Sequence, residues 1–67
     1  MSKYAEIRND FVVDNTVYID AWFSDNNNEN GIVIAKVNLN DKIVEYLDED
    51  AKTDKYAQEV IRETLNM

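Results

Sequence analysis

The chain has no cysteine and no histidine, and it has a single glycine. Without cysteine there is no disulfide, no thiol chemistry and no zinc-finger site. Without histidine the chain lacks the usual general base near neutral pH and the commonest metal ligand. One glycine cannot make a glycine-rich phosphate loop. Serine occurs only at Ser2 and Ser24, and neither has a histidine to activate it as a nucleophile. Carboxylates are plentiful, but the paired carboxylates of glycoside chemistry act across a cleft, which a domain this small hardly offers. These absences point away from an enzyme and from any catalytic, cofactor-binding or metal-ligating residue. Apolar runs extend over a few residues at most, too short to span a membrane. The opening stretch MSKYAEIRND has no apolar signal-peptide region, so the expected location is cytoplasmic.

What is present is acid. Fourteen Asp and Glu stand against seven Lys and Arg, a net charge of −7 over 67 residues. Such a surface repels phosphate backbones, which argues against direct binding to nucleic acid or to an anionic membrane. The length suits one domain. A chain this short buries only about 60% of its unfolded surface. With neither a disulfide nor a metal to staple it, oligomerisation is a natural way to bury more. The abundance of Asn, Asp, Lys and Ile suits an AT-rich genome, such as that of a low-GC bacterium or its phage.

The clearest strand is 16–23, TVYIDAWF. It is rich in β-branched and aromatic residues, and Val17, Ile19, Ala21 and Phe23 form an apolar face. Further strands are expected at 31–38 (GIVIAKVN) and 42–47 (KIVEYL), and a weaker one at 4–8 or longer. Asn40-Asp41 suits a two-residue hairpin turn. Residues 53–65 read as a helix, because Ala57, Val60, Ile61, Thr64 and Leu65 recur at helical spacing. Thr53 or Asp54 is the expected N-cap, with Asp48 as the alternative for an earlier start. The expected fold is α+β: a small antiparallel β-meander of three to four strands, followed by one C-terminal helix packed on one sheet face.

Register follows from the turn. Val37 should oppose Val44, Lys36 Glu45, and Ala35 Tyr46. Between the second and third strands, pairing Phe23 with Val33 would set Ala21 against Ala35 and Asp20 against Lys36. An Asp20-Lys36-Glu45 charge row would then cross the solvent side, with each opposed pair contributing about 0.2–1 kcal/mol.

The stretch DNNNENG, residues 25–31, is dense in oxygen ligands and ends in the only glycine. A calcium-binding EF-hand loop with Gly31 at its sixth position would start at Asn26. Its twelfth position, which needs a glutamate, would then be Val37. The flanks also read as strands, so that motif fails. A different cation site built from Asp25, Asn28 and Glu29 competes with a plain hairpin loop in which Asn30-Gly31 supplies residues tolerant of positive φ. The plain loop is the better reading.

One short helix covers only one face of a sheet. On the other face the expected register aligns Trp22, Ile34 and Leu47, with Tyr18 and Ile43 nearby. Contiguous exposed apolar patches usually mark interfaces, and Trp and Tyr are enriched at binding hot spots. The bland alternative covers Trp22 with the N-terminal segment around Phe11 and Val12. The expected function is a non-enzymatic protein–protein interaction module, homodimeric through Tyr18, Trp22, Ile34 and Leu47. A second reading is an acidic mimic of nucleic acid that inhibits a nuclease or another DNA- or RNA-binding protein, as phage anti-defence proteins do. Its surface would be Asp48, Glu49, Asp50, Asp54, Glu59 and Glu63.

Overall fold

A computed structural model describes residues 2–24 and 31–67. Four strands form one antiparallel sheet in the order β1-β2-β3-β4: β1 Tyr4–Val13, β2 Thr16–Phe23, β3 Ile32–Asn38 and β4 Ile43–Tyr46. A 3₁₀ turn, Glu49–Lys52, leads into the helix α1, Lys55–Leu65. The fold is an α+β meander with the helix packed on one sheet face, as the sequence pattern implies. Most of the segment DNNNENG, with the candidate ligands Asp25, Asn28 and Glu29, lies outside the described residues.

The first hairpin closes through Asp14 and Asn15, both with positive φ (49° and 67°). That is the pairing a type I′ turn requires, and Asp and Asn tolerate it better than other side chains. Strand β1 takes the longer of the two extents that the sequence allows, ten residues. Asn9-Asp10 does not end it but falls in an irregularity between Arg8 and Phe11. There Asn9 turns to the helix side and its amide donates to Thr64 Oγ1 at 2.9 Å.

The β3–β4 register is the expected one: Ala35 opposes Tyr46, Lys36 Glu45 and Val37 Val44. The connection differs, because four residues, 39–42, bridge Asn38 and Ile43. Asn38 is the reason. Its Oδ1 accepts from the backbone N–H groups of Asn40 and Asp41 at 3.0 and 2.9 Å. That local bond competes with a tight turn, and the positive φ moves to Lys42 (57°). Lys42 in turn donates its ammonium to the Leu65 carbonyl at 2.8 Å, a cation placed at the negative end of the helix dipole.

The β2–β3 register is a correction. Ile19 opposes Ala35 and Asp20 opposes Val33, with Ile34 as the extra residue of a bulge. Lys36 therefore lies opposite Tyr18 instead of Asp20, and the three-residue charge row does not form. The bulge also moves Ile34 to the inner face, where it is fully buried beside Ala35. The Ile34 carbonyl is used as well: it accepts from Leu47 and Asp48 N–H at 2.8 and 3.2 Å, which turns the chain out of β4.

The core lies between this inner face and α1. Val17, Ile19, Ala21, Ile34, Ala35 and Val37 meet Ala51, Ala57 and Ile61, with Tyr4 and Ile7 from β1. Among the described residues eleven hydrophobics are buried and four of them are alanine, so the core is thin for its length. Helix α1 buries Ala57, Ile61 and Thr64, the face that the periodicity gives. Of the three candidate N-caps, Asp54 caps α1, its side chain accepting from Ala57 N–H at 3.1 Å, Asp48 caps the 3₁₀ turn, and Thr53 ends that turn instead of opening the helix.

Candidate functional site

Side-chain alternation splits the sheet into two faces. Four rows point away from α1, namely Val13-Thr16-Asn38-Ile43, Phe11-Tyr18-Lys36-Glu45, Arg8-Asp20-Val33 and Glu6-Trp22. Among the described residues no element packs over them. Phe11, Val13 and Ile43 are exposed, and Tyr18, Trp22 and Val33 are half-buried. The apolar members thus run from one end of the sheet to the other.

Of the four residues expected to form an interface, Tyr18 and Trp22 lie on this face. Ile34 does not; the bulge turns it into the core. Leu47 follows the last residue of β4 and is exposed, but it belongs to none of the paired rows. Phe11, Val13 and Val33 are members that the sequence reading missed. Phe11 does not cover Trp22: its ring lies 5.4 Å from that of Tyr18. The longer β1 carries Phe11 and Val13 onto the face, and the bulge carries Val33 there.

The aromatic rings are held by cations and by glycine. The Arg8 guanidinium lies 5.0 Å from the Trp22 ring, and the Lys36 ammonium lies 5.5 Å from the Tyr18 ring. Such contacts contribute about 0.5–1 kcal/mol each at exposed sites, and Arg8 also pairs with Glu6. The indole of Trp22 lies on Gly31, whose φ is +74°. A shallow depression of about 330 Å³ opens beside Tyr18, walled by Thr16, Lys36, Ile43 and Glu45. The four rows carry Glu6, Asp20 and Glu45 against Arg8 and Lys36. Three acids and two bases leave −1, while the whole chain carries −7. Burial, with the Asp10 carboxylate nearby, pushes the Asp20 carboxyl above its ordinary value.

Three of the six acids of the second reading are drawn into contacts within the fold. Asp48 accepts from the Tyr4 hydroxyl at 2.7 Å and pairs with Lys3 at 3.1 Å. Asp50 pairs with Lys3 at 2.7 Å. Asp54 caps α1 and accepts from the Ser2 hydroxyl at 2.9 Å and from Lys3 N–H at 3.2 Å. These three acids clasp residues 2–4 to the start of the helix. Glu49 pairs with Lys52 along the 3₁₀ turn, and Glu59 and Glu63 stand exposed on α1. Among the described residues no group of three or more acids is placed to hold a metal ion. No helix there is long and apolar enough to cross a membrane.

The clasp makes stability depend on pH. Burial pushes the Asp48 carboxyl up, but hydrogen bonds from Tyr4, Lys3 and Asp50 N–H outweigh it and hold the group below its ordinary 3.8. Burial likewise opposes ionisation of Asp54, and donors led by Ala57 N–H and the Ser2 hydroxyl hold it below 3.8. A carboxyl depressed by folding stabilises above its unfolded value, and that stability is lost as pH falls through the folded value. Burial, then the Asp48 carboxylate, push the Tyr4 phenol far above its ordinary 10. A phenol raised by folding stabilises below its unfolded value, and that stability is lost as pH rises toward the folded value. Asp20 is also raised and runs against the two clasp acids. Urea midpoints across pH are therefore expected to fall below about pH 4 and again above about pH 10. Tyr4→Phe should remove most of the alkaline decline that the phenol causes. Equal alkaline declines in both proteins would contradict the clasp.

Comparison with known proteins gives no match to a family model, to a curated protein or to a solved structure.

Proposed function

We propose that the protein is a non-enzymatic interaction module of the cytoplasm that forms a homodimer by packing two copies of the open sheet face. One observation carries this reading: five apolar residues, Phe11, Val13, Tyr18, Val33 and Ile43, occupy a face that nothing in the described fold covers. Apolar patches of this continuity on soluble domains are usually interfaces.

A second copy is the partner that fits. The face is nearly neutral on a strongly acidic molecule, so two copies meet there with the least repulsion. An isologous contact must complement itself, and Lys36 beside Glu45 supplies both charges in adjacent strands. The two longer dimensions of the molecule, 34 and 22 Å, bound the flat area of any one face to the ~800 Å² per partner of a standard interface. The alanine-rich core leaves stability to be gained by burying a second surface, as small domains often do. The acidic exterior would remain outside the dimer and keep it off nucleic acid and anionic membranes.

Ile43 is the residue to change, because it is 61% exposed and contributes little to the core. Ile43→Glu is expected to weaken the dimer by on the order of 100-fold or more, since it places two like charges in an apolar contact. The same change should leave the urea midpoint of the separated chain within about 0.5 kcal/mol of the original. Sedimentation equilibrium reads the first effect. An unchanged dimer constant would remove the sheet face from the interface.

A further inference from the structure

The free edge of β1 is a second surface, independent of the open face. Strand β1 ends the sheet, so the side of its backbone turned away from β2 has no ladder partner among the described strands. The first half of that edge is protected. The N–H of Ile7 is taken by the Tyr56 hydroxyl at 3.1 Å, and the register with β2 shifts between Tyr4 and Glu6. Among the described residues nothing covers the second half in this way. Phe11, Val12 and Val13 are three consecutive apolar residues, 54%, 47% and 43% exposed. Val12 is on the helix side of the sheet, opposite the buried Val17, yet it stays exposed. Folded proteins blunt such edges with charge, proline or a covering element.

Backbone phase decides which groups are free. Asp14 and Asn15 make a two-residue type I′ loop, so the flanking Val13 and Thr16 exchange both of their hydrogen bonds. Antiparallel ladders alternate. Phe11 therefore also faces β2, and Val12 presents its N–H and C=O to the outside. The apolar triplet lies between Asp10 and Asp14, and no Lys or Arg occurs between Arg8 and Lys36.

The geometry points to a β-augmentation site at residues 10–14 for an extended peptide segment with an apolar centre and basic flanks. Backbone pairing with Val12 supplies the strand contacts, and Asp10 and Asp14 select the flanking cations. A second copy fits this edge poorly. Antiparallel self-pairing centred on Val12 brings Asp10 near Asp14 of the other chain at both ends, and like charges brought together there oppose the contact. A dimer through the open face leaves the edge backbone free, so both contacts can coexist.

The test is an amide-resolved NMR titration of the full chain with two blocked peptides, Lys-Val-Thr-Val-Lys and Glu-Val-Thr-Val-Glu, at up to millimolar concentration. The expected result is shifts centred on residues 10–14, with the lysine-flanked peptide binding on the order of tenfold more tightly. Val12→Pro removes the outward N–H at an edge position that tolerates proline, and should abolish the shifts. Asp10→Asn with Asp14→Asn keeps the backbone and should erase the preference between the peptides, which serves if Val12→Pro fails to fold. Absence of shifts at residues 10–14, equal response to both peptides in the unaltered protein, or full binding by folded Val12→Pro would each overturn the site. A dimer lost in Val12→Pro but kept in Ile43→Glu would assign the edge to a second copy.

Discussion

Ile34→Ala is expected to destabilise the fold by about 2–5 kcal/mol, the range for emptying a buried aliphatic position. The size of the effect follows from the bulge. Strict alternation along β3 would set Ile34 on the open face, where truncation costs within about 0.5 kcal/mol. The observed register sets Asp20 opposite Val33 and Ile19 opposite Ala35, which leaves Ile34 between them and fully buried. At roughly 0.05–0.15 kcal/mol per residue, 67 residues sustain on the order of 3–10 kcal/mol in total. Losing Ile34 would therefore remove a large part of the stability of the domain. The measurement is urea unfolding at one fixed protein concentration, because dimerisation makes the midpoint depend on concentration. A falling midpoint with an unchanged m value is expected. A change below about 0.5 kcal/mol would return Ile34 to the surface and remove the bulge.

Gly31→Ala is expected to cost about 2–5 kcal/mol, through two separate mechanisms. The first is backbone strain: φ at Gly31 is +74°, and side chains in the left-handed region cost roughly 1–2 kcal/mol. The second is steric. A Cβ at Gly31 would lie 2.8 Å from Cε2 and 2.9 Å from Cζ2 of Trp22, and overpacking of this kind costs about 1–3 kcal/mol. A double-mutant cycle separates them. In a Trp22→Ala background the collision with the ring disappears and the strain stays, so Gly31→Ala should then cost only about 1–2 kcal/mol. Trp22 fluorescence should also change in the single Gly31→Ala protein, because the indole must move. Additive costs in the cycle would show that the ring does not lie on Gly31.

Much of the fold is legible in the sequence, for identifiable reasons. The 16–23 segment alternates cleanly, so its inner residues Val17, Ile19 and Ala21 are the buried ones. The helix face and the cap at Asp54 follow from spacing and from a short acceptor side chain at the right place. The β3–β4 register survived an incorrect turn. The Asn38 side chain enlarges the loop from two residues to four while the same pairs remain opposed. What could not be read was the parity of β3. Ile32, Val33, Ile34 and Ala35 are four apolar residues in a row, and such a run carries no alternation to fix which side faces in. A bulge inside that run changes no visible pattern. It moves Ile34 inward and Val33 outward, and the candidate interface changes with it.

The same limit explains why part of the surface was missed. Asn9-Asp10 reads as a strand terminator, yet an irregular β1 absorbs it, with Asn9 bonded to Thr64 of the helix. That continuation places Phe11 and Val13 beside Tyr18 and Thr16. The internal pairing of the acidic cluster was hidden for a related reason. Asp48, Asp50 and Asp54 follow one another at short spacing and look like one charged stretch. Their partners Ser2, Lys3 and Tyr4 lie more than forty residues away in the chain, out of reach of local pattern. Once paired, these acids tie the N-terminus to the helix.

The most direct test of the sheet-face homodimer is the solution mass of the unaltered chain by light scattering across a concentration series. The predicted result is twice the 7.8 kDa chain mass at low micromolar concentration, and a single-chain mass for Ile43→Glu under the same conditions. A single-chain mass for the unaltered protein throughout the series would contradict it.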